Sequence, residues 1–130
     1  MKLEKNKTYY FSIEFLPGKM LKSNLLNLGI LNTVREGLND FGIELDEVAK
    51  IEPDMAIGNG GLGRLASCFM DSLASTGLPG NGNGIRYRYG LFKQKIVDGY
   101  QVELPDSWLN NGNPWEVRRA DKAVEVTFGG

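Results

Sequence analysis

The first apolar pattern along the chain has a period of two. Residues 9–15 alternate between a polar face and an apolar face, and the apolar face carries Tyr9, Phe11, Ile13 and Phe15. Aromatic and β-branched residues at this spacing favour an extended chain, and the following Pro17 and Gly18 would end it. The sequence therefore predicts a first β-strand over residues 9–15.

Three segments with helical spacing follow between residues 23 and 51. We expect Ser23 to cap the first, whose apolar residues are Leu25, Leu26 and Leu28. The second ends at Gly42, and its apolar face is formed by Leu31, Val34, Leu38 and Phe41. The third spans residues 45–51, with Asp46 as its expected cap.

A longer helical pattern then runs to Gly77. Its stripe of apolar residues predicts packing on a sheet, and the stripe consists of Leu62, Leu65, Ala66, Phe69 and Leu73. Cys68, the single cysteine, lies within the same pattern, and we expect it to be a buried small apolar residue.

The last third of the chain has the pattern of strands and turns. Residues 79–84 are rich in glycine and asparagine and predict a loop, after which residues 85–89 and 91–97 are expected to be extended. Asp98-Gly99 predicts a type I′ turn into a strand over 100–104. Residues 122–128 alternate again and predict a last strand.

The order of these elements predicts a mixed α/β fold. With 130 residues the chain is long enough for one domain and too short for two ordinary ones. The predicted strand near its end would have no successor, which indicates an incomplete sheet. Trp108 and Trp115 lie in an irregular segment, where a tryptophan stacks on a sugar ring or, more commonly, anchors the segment to the core.

The fourth helix is preceded by the string Gly58-Asn59-Gly60-Gly61-Leu62-Gly63, which has the form G-x-G-x-x-G. Glycines let a ligand approach the backbone closely, and the first N–H groups of a helix have no intrahelical acceptor, so this string predicts an anion site. A glycine-rich turn that merely begins a helix is an equally common interpretation. A dinucleotide-binding oxidoreductase is a third, although the preceding strand and the later acidic residue that it requires are missing.

Two charged side chains could serve such a site. Glu14, at the end of the first predicted strand, could hold a sugar hydroxyl or a water molecule, or could simply be solvated. Arg64, in the first turn after the glycines, could contact an anion or pack its aliphatic part against the neighbouring loop.

The composition argues against several classes of function and site. A net charge of −1, from 15 basic and 16 acidic residues, gives no positive field for nucleic acid or an anionic membrane. The chain has no histidine and one cysteine, so we expect neither a metal site nor a disulfide. No apolar stretch approaches the length of a membrane span, and a cytoplasmic protein is expected.

Residues 57–72, which contain the glycine string, resemble the corresponding segment of the α-glucan phosphorylases, the glycogen and maltodextrin phosphorylases. Four other segments, residues 9–18, 84–95, 106–109 and 112–116, resemble the same family in the same order. The resemblance extends over nearly the whole chain, and the combination of segments is highly specific.

This resemblance implies part of a Rossmann-like (GT-B type) N-terminal domain, with an incomplete sheet, packed helices and a β-hairpin, over residues 1–130. It also implies an enzyme, a glycosyltransferase that transfers terminal glucosyl units of an α-1,4-glucan such as maltodextrin to inorganic phosphate, which gives glucose 1-phosphate. In this family pyridoxal 5'-phosphate works through its phosphate group.

The resemblance assigns site residues as well. Those expected to contact the phosphate or the glucosyl unit are Asn59, Gly60, Gly61 and Leu62. Glu14 would lie near the catalytic cleft as a candidate catalytic residue, and Leu16 and Arg64 would lie near the cofactor.

Relatives of this family are several times longer than this chain, and their cofactor lysine and its surrounding motif have no counterpart here. Leu16 and Asn83 each stand where a tyrosine is expected, Leu16 by comparison with animal relatives. We therefore expect a fragment that is inactive alone and binds no cofactor. The alternative is a non-catalytic remnant that binds glucan or associates, with itself or a partner, through unpaired strand edges.

Overall fold

The computed structural model describes residues 6–129 and confirms a mixed α/β arrangement. Strand β1 (Thr8–Phe11) is followed by four α-helices, which are α1 (Leu21–Asn27), α2 (Leu31–Asn39), α3 (Leu45–Ile51) and α4 (Gly61–Ser75). The remaining elements are β2 (Gly80–Asn83), β3 (Lys93–Val97), β4 (Tyr100–Leu104) and a 3₁₀ turn (Ala120–Lys122).

Strands β1 and β2 form a two-stranded parallel sheet, with Thr8 opposite Gly80 and Phe11 opposite Asn83. A parallel pair requires a crossover, and the four helices provide it. The prediction of a loop over residues 79–84 is therefore wrong, because these residues lie beside β1 in the folded chain.

The glycines of β2 have a packing role that their local sequence does not reveal. A Cβ atom at Gly80 would lie 2.7 Å from Cδ1 of Leu73, and one at Gly82 would lie 3.2 Å from Sδ of Met70. Helix α4 therefore packs directly on the backbone of β2, where larger side chains would not fit. The prediction that this helix packs on a sheet is confirmed here.

Strand β1 is shorter than predicted because Ser12 closes a local turn. Its hydroxyl donates to the Glu14 carbonyl oxygen at 2.6 Å and accepts from the Glu14 N–H at 3.3 Å. Beyond this turn, the Phe15 N–H donates to the Ile57 carbonyl at 2.8 Å. Residues 12–15 therefore leave the strand and run beside the start of the glycine string.

Both predicted helix caps are wrong. Helix α1 begins at Leu21, ahead of Ser23, whose hydroxyl donates to the Met20 carbonyl at 3.0 Å. Asp46 lies within the first turn of α3, and its carboxylate pairs with Lys22 of α1. Neither side chain therefore caps its own helix, and each makes a different contact.

The turns that depend on a left-handed backbone are confirmed. Gly42 and Gly77, which follow α2 and α4, have φ angles of 70° and 67°. Asp98 and Gly99 have φ angles of 51° and 81°, as a type I′ turn requires, and they join β3 to β4 in an antiparallel hairpin.

Residues 85–89 and 122–128, both expected to be extended, contain no strand. Within residues 6–129 neither segment pairs with a strand. The side chains of Val124, Val126 and Phe128 are exposed. The alternating pattern alone is therefore insufficient to predict a strand in these two segments.

The described core is small, and its buried apolar residues are Leu45, Ala66 and Trp108. Trp108 Nε1 donates to the Tyr87 carbonyl at 2.9 Å, which confirms its predicted anchoring role. Helix α4 buries its face of small residues, namely Gly63, Ala66 and Ser67. Cys68 and the larger side chains Leu62, Leu65 and Phe69 are exposed, so the predicted burial of Cys68 and of most of the apolar stripe is wrong.

Candidate functional site

The glycine string forms the N-terminal end of α4, as predicted. Gly60 is the capping residue in an extended conformation, and the helix continues for 15 residues from Gly61. The free N–H groups at this end point out of the helix, and the aligned peptide dipoles give it a partial positive charge. The string therefore presents backbone donors at the surface of the molecule.

The Glu14 carboxylate accepts hydrogen bonds from the first N–H groups of the string. Its Oε2 atom accepts hydrogen bonds from the N–H groups of Asn59 at 2.9 Å and Gly60 at 3.3 Å. These bonds, first that from Asn59, hold the pKa of the Glu14 carboxyl below its usual value, because they stabilise the charged form. Glu14 is therefore a carboxylate near neutral pH, bound to the loop that it faces.

The next two N–H groups remain available. Within residues 6–129, the amides of Gly61 and Leu62 donate no hydrogen bond. The Leu62 side chain is 73% exposed. Two adjacent donors at the positive end of a long helix can bind an anion that approaches from solvent.

The glycines of the string divide into two structural groups. A Cβ atom at Gly58 would lie 2.5 Å from the Phe15 carbonyl oxygen, and one at Gly63 would lie 3.0 Å from the Glu14 side chain. At Gly60 and Gly61 a Cβ atom would meet no atom of residues 6–129 within 4 Å. Contact with residues 14–15 thus explains the outer glycines, whereas no contact in the described part of the chain requires the inner two.

Arg64 and Leu16 are brought together where the segment after β1 meets the first turn of α4. The Leu16 N–H donates to the Gly63 carbonyl at 2.9 Å. Arg64 Nη1 donates to the carbonyls of Leu16 at 3.2 Å and Pro17 at 3.3 Å. The guanidinium thus binds the segment after β1, and its other N–H groups remain on an exposed side chain.

Comparison with known proteins shows the family of this chain. A family model described as carbohydrate phosphorylase matches residues 38–130. The glycogen phosphorylase of Bacillus subtilis (strain 168) is 64% identical over 123 residues, which are 95% of this chain and 15% of that protein. The glycogen phosphorylase of Saccharomyces cerevisiae (strain ATCC 204508 / S288c) is 48% identical over 137 residues, again with 95% of this chain and 15% of the relative covered.

The chain belongs to the carbohydrate phosphorylase family. The liver form of glycogen phosphorylase from Bos taurus, 48% identical over 124 residues, covers the same shares of the two chains, 95% and 15%. The resemblance noted in the sequence is confirmed, and the family is one of enzymes. This phosphorylase chain spans only 15% of the length of these relatives.

The sequence analysis missed two contacts, one made by the phosphorylase loop and one made by the segment after β1 that precedes Glu14. Asn59 Nδ2 donates to the Leu91 carbonyl at 2.6 Å, which links the string to the segment before β3. The Tyr87 hydroxyl donates to the Ile13 carbonyl at 2.8 Å. Each contact joins residues far apart in sequence, so no local pattern could have indicated it.

Neither a metal site nor a membrane-spanning helix is found in the described part of the chain. Among residues 6–129, no group of three or more acidic, cysteine or histidine residues could hold a metal ion. The Lys19 amine donates to the carbonyls of Ala49 and Lys50, away from the glycine string. Within the same residues no helix combines the length and apolar character needed to cross a membrane.

Proposed function

We propose that this chain supplies the phosphate-binding loop of an α-glucan phosphorylase. The reaction is the transfer of a terminal α-1,4-glucosyl unit, as in maltodextrin or glycogen, to inorganic phosphate, which yields glucose 1-phosphate. The observation that carries the proposal is the pair of free N–H groups at Gly61 and Leu62, at the start of α4. The glycogen phosphorylases among the relatives support it.

Backbone donors suit this task because phosphate is an anion whose charge must be balanced during the transfer. The N–H groups of Gly61 and Leu62 and the dipole of α4 would stabilise that charge without reorganisation. Gly60 and Gly61 present no side chain toward the open space in front of the loop. The phosphate could therefore approach closely enough to accept these hydrogen bonds.

Glu14 acts in this proposal as a positioning residue. Its carboxylate binds the Asn59 and Gly60 amides, and it therefore fixes the loop while leaving the following two amides to the substrate. A carboxylate with a lowered pKa is poorly suited to donate a proton near neutral pH. The exposed Leu62 side chain would lie beside the glucosyl ring and pack on its apolar face.

Pyridoxal 5'-phosphate, when bound in the complete enzyme, would supply a phosphate group for acid–base chemistry. Arg64 and Leu16 fit the surroundings of such an anion, because the exposed guanidinium keeps N–H groups beyond the bonds it makes to Leu16 and Pro17. The attachment lysine would come from a part of the enzyme outside this sequence.

The chain would form a single partial domain, residues 1–130, of a Rossmann-like GT-B fold in a cytoplasmic enzyme. The cations that oppose the glycine loop across the cleft would come from a second domain. Since such electrostatic stabilisation requires both sides of the cleft, the chain alone would be inactive.

A chimera tests the proposal. The matched 123 residues of the Bacillus subtilis relative would be replaced by the corresponding residues of this chain, and glucose 1-phosphate formation from maltodextrin and phosphate would be measured. We expect activity in the chimera and none after deletion of the segment. A chimera that folds with the circular dichroism and melting behaviour of the relative but forms no product would contradict the proposal.

A further inference from the structure

Glycines give the string over residues 58–63 little stiffness of its own. Four of its six residues are glycines, which adopt many backbone conformations, and Asn59 is its one residue with a polar side chain. An anion site works best with N–H groups whose direction is fixed before the ligand arrives, because such donors need no reorganisation. The direction of the free N–H groups of Gly61 and Leu62 therefore depends on the contacts that the string makes with other segments.

Asn59 is held by two such contacts. Its backbone N–H donates to Glu14 Oε2 at 2.9 Å, and its side-chain Nδ2 donates to the Leu91 carbonyl at 2.6 Å. The two acceptors lie on opposite sides of the string in sequence, 45 and 32 positions away from Asn59. The amide of this side chain is thus bound to the protein itself, close to the first free N–H group of the string.

The acceptor at Leu91 is itself tied to the residues that precede the string. The Leu91 N–H donates to the Ala56 carbonyl at 2.8 Å, so the backbone of Leu91 bonds to both ends of residues 56–59. A Cβ atom at the preceding Gly90 would lie 2.6 Å from Cβ of Ala56, which shows how closely the two segments approach. The carbonyl that accepts from the Asn59 amide therefore has a fixed position relative to the string.

The backbone on both sides of Leu91 is in the left-handed region, with φ angles of 67° at Gly90 and 63° at Phe92. A bulky aromatic residue rarely adopts this conformation, which persists only where the surrounding structure imposes it and is concentrated at functional sites. In the described part of the chain Asp98 also has a positive φ, but it belongs to a hairpin turn that requires one. Phe92 instead follows the residue that binds the string.

We propose that Asn59 is a positioning residue of the phosphate site and does not itself contact the substrate. Its side-chain amide fixes the glycine string to the Leu91 carbonyl, and the string thereby directs the N–H groups of Gly61 and Leu62 toward the phosphate. Glu14 restrains the same loop from the opposite segment, through the backbone of Asn59. This inference rests on the proposed function and names a further residue on which that function depends.

A second measurement uses this chain and needs no activity. In Asn59→Ala the ¹H–¹⁵N heteronuclear NOE of the Gly61 and Leu62 amides should fall, because the string has lost its bond to Leu91. Asn32→Ala, on α2, is the matched control, since it removes an exposed side-chain hydrogen bond from Arg35 instead. We expect the NOE values to stay unchanged in the control. Unchanged values in Asn59→Ala as well would overturn the proposal.

Kinetics of the chimera provide the decisive test. Asn59→Ala and Asn59→Leu both remove the donor to Leu91, and leucine keeps the size of the side chain. We expect each to raise the KM for phosphate about fivefold or more and to leave the KM for maltodextrin unchanged, because only the direction of the phosphate donors is lost. A merely structural role would lower the amount of active enzyme, and hence kcat, without this difference between the two KM values. Asn32→Ala should change neither KM.

Two results would overturn the proposal. A raised KM for maltodextrin would make Asn59 a contact of the glucan, and an unchanged KM for phosphate would remove its positioning role. Gly61→Ala in the same chimera separates this failure from failure of the proposed function. A raised KM for phosphate in Gly61→Ala alone would overturn only the role of Asn59, whereas an unchanged KM for phosphate in every variant would overturn both proposals.

Discussion

The Glu14 Oε2 atom lies 2.9 Å from the backbone nitrogen of Asn59, which donates a hydrogen bond to it across 45 positions of sequence. A second bond, from the Gly60 N–H at 3.3 Å, ends on the same oxygen. The carboxylate thus holds the start of the glycine string against the segment that follows β1. The position of the free donors at Gly61 and Leu62 depends on this contact.

Replacement of Glu14 by glutamine should loosen the glycine string. Glutamine keeps the size of the side chain but loses the charge that strengthens the bonds from Asn59 and Gly60. We expect hydrogen exchange at these two amides to become several-fold faster, as measured by NMR. Glu36→Gln, the same change on the exposed surface of α2, is the control, and equal acceleration in both variants would refute the role of Glu14.

The string should also loosen in acid. Because hydrogen bonding lowers the pKa of folded Glu14 from a usual value of 4.5, its stabilising contribution is complete above that value and is lost as the pH falls through the folded pKa. The Asn59 amide resonance should report this titration with a midpoint below pH 4.5. A midpoint at or above the usual value would contradict the assignment, and Glu14→Gln should abolish the transition.

The glycines of the string should differ sharply in their tolerance of alanine. Gly58→Ala places a methyl group 2.5 Å from the Phe15 carbonyl oxygen, and we expect it to lower the free energy of unfolding by about 1–3 kcal/mol. Gly60→Ala meets no atom of residues 6–129 within 4 Å and should lower it by no more than about 0.5–1 kcal/mol, the cost of alanine at a helix cap. Urea unfolding of the two variants measures both values, and similar losses would show that the close contact at Gly58 is misassigned.

Glu52 should prove necessary for the position of Trp115. Its Oε1 atom accepts from the Met20 N–H at 2.9 Å and from Trp115 Nε1 at 3.0 Å. Glu52→Ala should shift the Trp115 indole N–H resonance, speed its exchange and cost about 1–2 kcal/mol of stability, since it removes the acceptor of the Met20 N–H at the start of α1 as well as the acceptor of the indole N–H.

The Trp108 indole N–H, which donates to the Tyr87 carbonyl, is the control for this change within the same spectrum. We expect its resonance to stay in place. Comparable shifts of both indole resonances would indicate a general disturbance and would count against a specific contact between Glu52 and Trp115.

The features predicted well from the sequence are those whose determinants are local. The glycine string leads into α4 because glycines and the following apolar spacing are adjacent, and the Asp98-Gly99 turn depends on two residues alone. Strand β2 was missed because its glycines are explained by Leu73 and Met70, which reach it only in the folded chain. Residue propensities alone predict a loop for such a segment, because the side chains that pack on it are brought there only by folding.

The candidate site, too, was only partly predictable from the sequence. Its residues could be named from the sequence and the family resemblance. Which backbone N–H groups of the string are bonded and which are free could not be predicted. That Asn59 and Gly60 bond to Glu14, while Gly61 and Leu62 remain free, depends on the turn that Ser12 makes at the end of β1. The contact of Arg64 with the Leu16 carbonyl likewise requires the path of the chain after that turn.

The most direct test of the central claim is the KM for phosphate of the chimera carrying Gly61→Ala. A methyl group at this first residue of α4 adds bulk next to the free N–H groups and meets no atom of residues 6–129 within 4 Å, and Gly37→Ala, equally open on α2, is the matched control. We expect Gly61→Ala to raise the KM for phosphate at least tenfold and Gly37→Ala to leave it unchanged. An unchanged KM for phosphate in both variants would show that this loop does not bind the substrate phosphate.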